Sequence, residues 1–233
     1  MTHELLAKTF DQWSADGRAS AMELEHGDVA RQVIAKLGIR AGEQILDLGC
    51  GNGWATRILA KMAAGVQATG VDVAPAMVAG AEKIHSLTIR ARYHVGSFEQ
   101  LDFPDARFHR VFSMEALYYA VDLERALSEI ARVLRPGGSC DIVIDFYTDN
   151  AATSCWAKAT GVPMHALSEA QWKARFERSG FVDVATTRVV DSRGPGEASR
   201  FTPSHCYPDF STWVAVRSAG SLWIHASKPK NAS

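Results

Sequence analysis

From Gly42 to Phe146, short apolar runs alternate with amphipathic stretches, and that rhythm restricts the fold more than any other feature of the chain. Ile45, Leu46 and Leu48 form the first run, which ends in glycine as a buried parallel strand does. Residues 53–63 then read as a helix, QATGVD (67–72) as a strand, and Pro75 to about Ile84 as another helix. LTIRARYHV (87–95) and RVFSM (110–114) read as strands. LERALSEIARVL (123–134) carries Leu123, Leu127, Ile130 and Leu134 on one helical face, PGG breaks it, and CDIVIDF (140–146) is a strand again. Strand–helix alternation of this kind means parallel strands joined by crossover helices, hence a doubly wound α/β sheet. Ligands of such sheets bind outside the carboxyl ends of the strands, where the strand order reverses.

The flanks differ from this core. Residues 3–14 and 20–37 read as helices, the second with Val29, Val33, Ile34 and Leu37 at helical spacing and Gly38 at its stop. A helix at about 168–179 leads to the strand FVDVATTRVV (181–190). A Gly/Pro-rich loop (191–208), a short helix (209–218) and the strand SLWIHAS (221–227) follow. The expectation is one domain over 1–233. Within it, 1–40 forms a helical N-terminal cover, 41–146 the ligand-binding core, and 147–227 the substrate-side cover with the last two strands.

With 25 basic and 26 acidic residues the net charge is -1, and no basic face that would serve nucleic acid is forced. No apolar stretch approaches the roughly 20 residues that cross a bilayer, so no membrane partner is expected. The four cysteines (Cys50, Cys140, Cys155, Cys206) form no CxxC pair, which argues against a metal site and for packed thiols in a reducing compartment. MTHELLAKTF lacks a cationic region followed by a long apolar one, so the expected location is cytoplasmic. KPKNAS at the end reads as a frayed tail.

QILDLGCGNGW (44–54) is where chemistry enters. A dinucleotide turn requires GxGxxG, but Trp54 stands where the third glycine belongs, and no GK[ST] follows to make a phosphate loop. Asp47 would also repel a phosphate. A cationic ligand fits better. S-adenosylmethionine carries a sulfonium and an ammonium that a carboxylate attracts, and glycines let the backbone approach the ligand closely. The second strand ends in Asp72, an acid placed to accept from both ribose hydroxyls.

Together ILDLGCGNG, GVDVAPAMV, FHRVFSMEALYYAVD and RVLRPGG resemble the motifs of class I S-adenosylmethionine-dependent methyltransferases, over about residues 40–146. WSADGRASAMELEHG and FYTDNAATSCW…VPMHALSEAQW look like a bacterial small-molecule subgroup, loosely likened to ubiquinone-pathway enzymes. The resemblance implies a Rossmann-like, mainly parallel seven-stranded sheet whose last strand is antiparallel. It puts Asp47, Gly49 and Gly51 on the methionine part of S-adenosylmethionine, Asp72 on the ribose, and Ser97 and Phe98 beside the adenine. Cys50, Val73, Met77, Met114 and Trp13 are counted with them as cofactor-binding residues. Members of the family usually carry Asp where Ser97 stands, so Ser97 or Glu99 takes the adenine amino group. His109 replaces a structural Asp and is not read as catalytic.

Methyl transfer from a sulfonium is an in-line displacement, so alignment and exclusion of water are the protein's main tasks. A base is needed only where the nucleophile must lose a proton. His165 in the VPMH loop is the first choice of base, with Glu115 and Tyr118, after the fourth strand, at the reacting end. Tyr119, Phe146, Tyr147, Trp156, Met164, His26, His205 and Trp213 are further pocket candidates, each with packing or a surface position as its plainer role. An aromatic pocket with acids suits an amine by cation–π attraction, and a flat phenol equally well. The expected function is methyl transfer to N, O or C of a small molecule, releasing S-adenosylhomocysteine, by a monomer or homodimer. The alternatives are a macromolecular methyltransferase, which would want a basic docking surface or an NPPY-like stretch, and a non-catalytic cofactor-binding module. A nicotinamide dehydrogenase is disfavoured by Asp47 and Trp54.

Overall fold

The computed structural model describes residues 2–84 and 88–230. Its elements are α1 (His3–Ala15), α2 (Arg18–Lys36), β1 (Gln44–Leu48), α3 (Trp54–Leu59), β2 (Gln67–Asp72), α4 (Pro75–Glu82), β3 (Ala91–Val95) and β4 (Phe108–Met114). α5 (Leu123–Val133), β5 (Leu134–Ile144), α6 (Trp156–Thr160), α7 (Glu169–Arg178), β6 (Val182–Val189), α8 (Phe210–Ala219) and β7 (Ser221–Ser227) complete the chain.

The strands form one sheet in the order β3-β2-β1-β4-β5-β7-β6. β1 pairs in parallel with both β2 and β4, so the order reverses at β1. β7 runs antiparallel to β5 and β6 and is the one reversed strand. The expected doubly wound sheet with an antiparallel last strand is therefore present, and its crevice opens beyond the ends of β1 and β4.

The period of two along β1 divides the core. Leu46 and Leu48 pack with α5 and α7 on one face, while Ile45 packs with α2 and α3 on the other. α5 buries Leu123, Ala126, Leu127, Ile130 and Val133, the stripe its periodicity predicts. Asp122 caps it by accepting from the Arg125 N–H at 2.9 Å. α7 opens on a capping box between Ser168 and Gln171.

Boundaries shift where tertiary contacts outweigh local signals. β3 begins at Ala91, and the first residue of the strand read from 87, Leu87, lies outside the described residues. Residues 231–233 of the tail also lie outside them. PGG does not delay β5: Leu134 already pairs with Phe108, and the glycines sit in a bulge before Ser139 pairs with Arg110. Cys50 and Cys140 are buried free thiols, as their turn and strand positions imply.

Beneath β5 and β7 the buried Asp141 accepts from His225 Nδ1 at 2.7 Å, Trp223 Nε1 at 3.0 Å and Ser139 Oγ at 3.2 Å. The bond to Asp141 raises the His225 imidazole above its usual 6.5. A base with a raised folded value adds stability that is fully present below 6.5 and is lost as pH climbs through the raised value. Asp141→Asn is expected to cost about 2 kcal/mol and to flatten that pH dependence, read from melting temperatures measured across it.

Candidate functional site

The β1–α3 turn is the floor of the site. Gly49, Gly51 and Gly53 all have φ in the left-handed region, at +72°, +52° and +78°. The amides of Gly49 and Cys50 both donate to Val71 O, at 2.8 and 3.1 Å, which ties the turn to the end of β2. Asp72 completes the tie. Its Oδ2 accepts from the Gly51 N–H and its Oδ1 from the Ala74 N–H, both at 2.9 Å. Gly51 has open space beside it, with Met77 Sδ the nearest atom, at 4.0 Å from where a Cβ would lie. A bare backbone with a carboxylate behind it is what a ribose and a cationic amino-acid tail require, so the residues fit S-adenosylmethionine.

A cavity of about 290 Å³ lies over this floor. Its wall includes the predicted residues Trp13, Gly49, Cys50, Gly51, Asp72, Val73, Met77, Ser97, Phe98, Met114, Glu115 and Tyr118. The structure does not bring Asp47 to the wall. That carboxylate is 1% exposed and accepts from Thr56 Oγ1 at 2.6 Å, so it braces the turn from behind. Burial pushes the Asp47 carboxyl up to about 7, against the Thr56 hydrogen bond and aided by the nearby Asp72. Burial likewise lifts Asp72 to about 6, opposed by its two backbone bonds, and keeps Cys50 a neutral thiol.

Glu99 is spent within the fold. It accepts from the Val121 N–H at 2.6 Å and the Asp122 N–H at 3.2 Å, and lies 2.7 Å from His3 Nε2. Of the two residues considered for the adenine amino group, Ser97 is the one whose side chain has no such engagement.

At the reacting end, Glu115 has an unusual φ of +54° for a residue with a side chain. Tyr118 O–H donates to its Oε2 at 2.8 Å, and the Asp145 N–H donates to its Oε1. Burial, then the charge of Asp145, holds the Glu115 carboxyl well above the usual range. Tyr118 is also held up by burial, so its phenol stays protonated and serves to position Glu115.

His165 is not brought to the wall. Its Nε2 donates to Ala120 O at 2.9 Å and its N–H to Tyr118 O at 2.9 Å, so it pins the 162–167 loop to the turn after β4. His165→Ala is expected to lower stability by about 1 kcal/mol while leaving the shape of the pH–rate profile unchanged, which denaturation and kinetics across pH would check. His109 sits at the start of β4, away from the crevice, and accepts from the Gln44 N–H at 2.9 Å.

His26, Tyr119, Trp156 and Met164 do line the cavity, whereas Phe146, Tyr147, His205 and Trp213 do not. Tyr147 instead donates to Gly220 O at 2.8 Å. Sequence reasoning missed Arg18, Glu25 and Tyr207 of the wall, and Asp145 behind it. Asp145 had a readable signal: like Asp72, it is an acid at the carboxyl end of a parallel strand.

A family described as a methyltransferase domain matches residues 45–138. The chain is 30% identical to O-methyltransferase cnsE of Penicillium expansum over 190 residues, covering 78% of this chain and 68% of that one. It is 33% identical to O-methyltransferase resE of Aspergillus sclerotiorum over 144 residues, but spans only 54% of that protein's length. A chain from the complex between the Haloferax volcanii Trm112 methyltransferase activator and its methyltransferase partner superposes with a TM-score of 0.85. That match has 32% identity and covers 94% of this chain and 97% of the other. The chain belongs to the class I S-adenosylmethionine-dependent methyltransferases, and S-adenosylmethionine is its cofactor.

Proposed function

We propose that this methyltransferase acts on N, O or C of a small molecule. The observation that carries the reading is the continuity of the cavity. It runs from the Gly49–Asp72 floor to an aromatic end formed by Tyr118, Tyr119, Trp156 and Tyr207, under the cover of α1 and α2. Its size is close to that of an ordinary small-molecule site. When bound, S-adenosylmethionine supplies an activated methyl group on sulfur. The chain's task is to align and to exclude water.

In this reading Asp72 takes the ribose hydroxyls, while Gly49, Cys50 and Gly51 take the methionine part, with Asp47 behind them. Ser97 and Phe98 flank the adenine, Val73 and Met77 pack beside the ribose, and Met114 and Trp13 close the wall toward the acceptor. The assembly proposed is a monomer or homodimer. The Haloferax relative, solved with an activator, makes a heterodimer the alternative. Light scattering of the purified chain separates the first two.

The test is to incubate the protein with methyl-labelled S-adenosylmethionine and a cell extract and to separate metabolites from macromolecules. Label in the small fraction supports the reading. Label in protein or nucleic acid contradicts it.

A further inference from the structure

The acceptor end of the cavity is acidic. Glu25 and Glu115 line it, Asp72 and Glu99 line the cofactor end, and among the described wall residues Arg18 is the only Arg or Lys. The Arg18 guanidinium lies 4.2 Å from the Trp13 ring centre, stacked on it. At the far end, His26, Glu115 and Asp145 each present one polar atom within 4.8 Å of the others. His26 Nδ1 is 3.6 Å from Asp145 Oδ2, and Nε2 is 3.9 Å from Glu25 Oε2. Both distances are too long for hydrogen bonds, so the ring sits between two carboxylates with neither nitrogen committed. The imidazole is only 13% exposed. Glu25 and Asp145 thus flank one uncommitted histidine, and a bound cation would favour ionisation of the raised Glu115 carboxyl beside them.

We propose that His26, Asp145 and Glu115 form an acceptor subsite for a protonated amine, in which the carboxylates hold the ammonium and His26 takes its proton. This deepens the small-molecule reading above and rests on it. Tyr118 and Tyr207 line the same cavity and offer aromatic rings to which a cation is attracted. A carboxylate or phosphate on the acceptor would meet repulsion there.

The step balances. R–NH3+ gives one proton to His26, the nitrogen lone pair forms the N–C bond to the methyl, and the C–S bond pair stays on sulfur. The products are R–NH2+–CH3, S-adenosylhomocysteine and an imidazolium, with the total charge unchanged. Asp145 and Glu25 face that imidazolium from opposite sides. Among the described residues, the other titratable or charged groups toward this end are Arg18 at the start of α2, Glu115 and Tyr118 after β4, Cys206 and Tyr207 before α8, and Asp191 and Arg217 across the small cavity behind His26.

Calorimetry on the S-adenosylhomocysteine-loaded chain near neutral pH tests the subsite with benzylamine, benzyl alcohol and benzoate. Benzylamine is expected to bind at least about tenfold more tightly than either of the others. Glu115→Gln and Asp145→Asn are each expected to shrink that gap. Equal or tighter binding of benzyl alcohol or benzoate overturns the proposal, as does no binding by any of the three. Manganese binding that His26→Gln abolishes also overturns it.

His26→Gln is further expected to lower kcat for the labelled amine about 100-fold near neutral pH, with KM moving less and kcat recovering as pH approaches the amine's own pKa. A labelled small product that is an ether or ester overturns the amine assignment and leaves the small-molecule reading intact. Label in macromolecules strikes that reading instead, and the calorimetric comparison still decides the subsite.

Discussion

Gly49→Ala is expected to abolish cofactor binding and to destabilise the chain by at least about 2–3 kcal/mol. A Cβ at position 49 would lie 2.2 Å from the Ala116 Cβ, and φ there is +72°. Both methyls are fixed to backbone, so neither can rotate away. Relief requires separating the β1–α3 turn from the segment that leaves β4. That segment carries Glu115, so the damage reaches both ends of the cavity.

A second substitution separates the two causes. Ala116→Gly in the same chain removes the clash and leaves only the cost of the left-handed backbone, about 1 kcal/mol. Urea unfolding should show that partial rescue. Equal destabilisation of the single and double variants would mean that the turn and the β4 exit are not in contact as described.

Asp72→Ala should raise the dissociation constant for S-adenosylmethionine at least tenfold, about 1.5 kcal/mol or more. It strands the ribose hydroxyls and frees the Gly51 and Ala74 amides that now bond to the carboxylate. Unchanged affinity in a folded variant would contradict the ribose assignment.

The same carboxyl makes binding pH-dependent. Asp72 and Asp47 are raised to about 6 and about 7 in the folded chain, from an ordinary 3.8. An acid with a raised folded value favours the folded state most below 3.8, so stability of the free chain declines as pH rises through 6 and 7. A cationic ligand with hydroxyl donors favours the ionised carboxylates. Affinity should therefore rise across that same window, with proton release. Calorimetry in two buffers of different ionisation enthalpy measures the protons directly, and Asp72→Ala should release fewer.

Much of this site could be read along the chain because its cofactor half is local. The GxGxG turn and Asp72 lie within one strand–helix–strand unit, and Met77 in the helix that follows it, where spacing fixes geometry. The acceptor half is tertiary. His26 comes from α2 and Asp145 from the end of β5, and only the sheet order brings them to Glu115. His165 attracted attention as a histidine in an aromatic-rich loop, yet two hydrogen bonds that cross the fold commit it to Ala120 and Tyr118. Asp47 looked like a ligand group from its distance to the glycines. The period of two along β1 instead turns it toward Thr56, beneath the turn. Glu99 stood close to the adenine position in sequence, but its Oε1 is consumed by the Val121 and Asp122 amides ahead of α5 and its Oε2 faces His3.

The most direct measurement is a crystal structure of the chain with S-adenosylhomocysteine bound. The ribose hydroxyls are expected on the Asp72 carboxylate, the amino-acid tail over Gly49–Gly51, and the sulfur pointing past Met114 toward Glu115 and Tyr118. A ribose away from Asp72, or a sulfur directed away from the aromatic end, would contradict this assignment of the site.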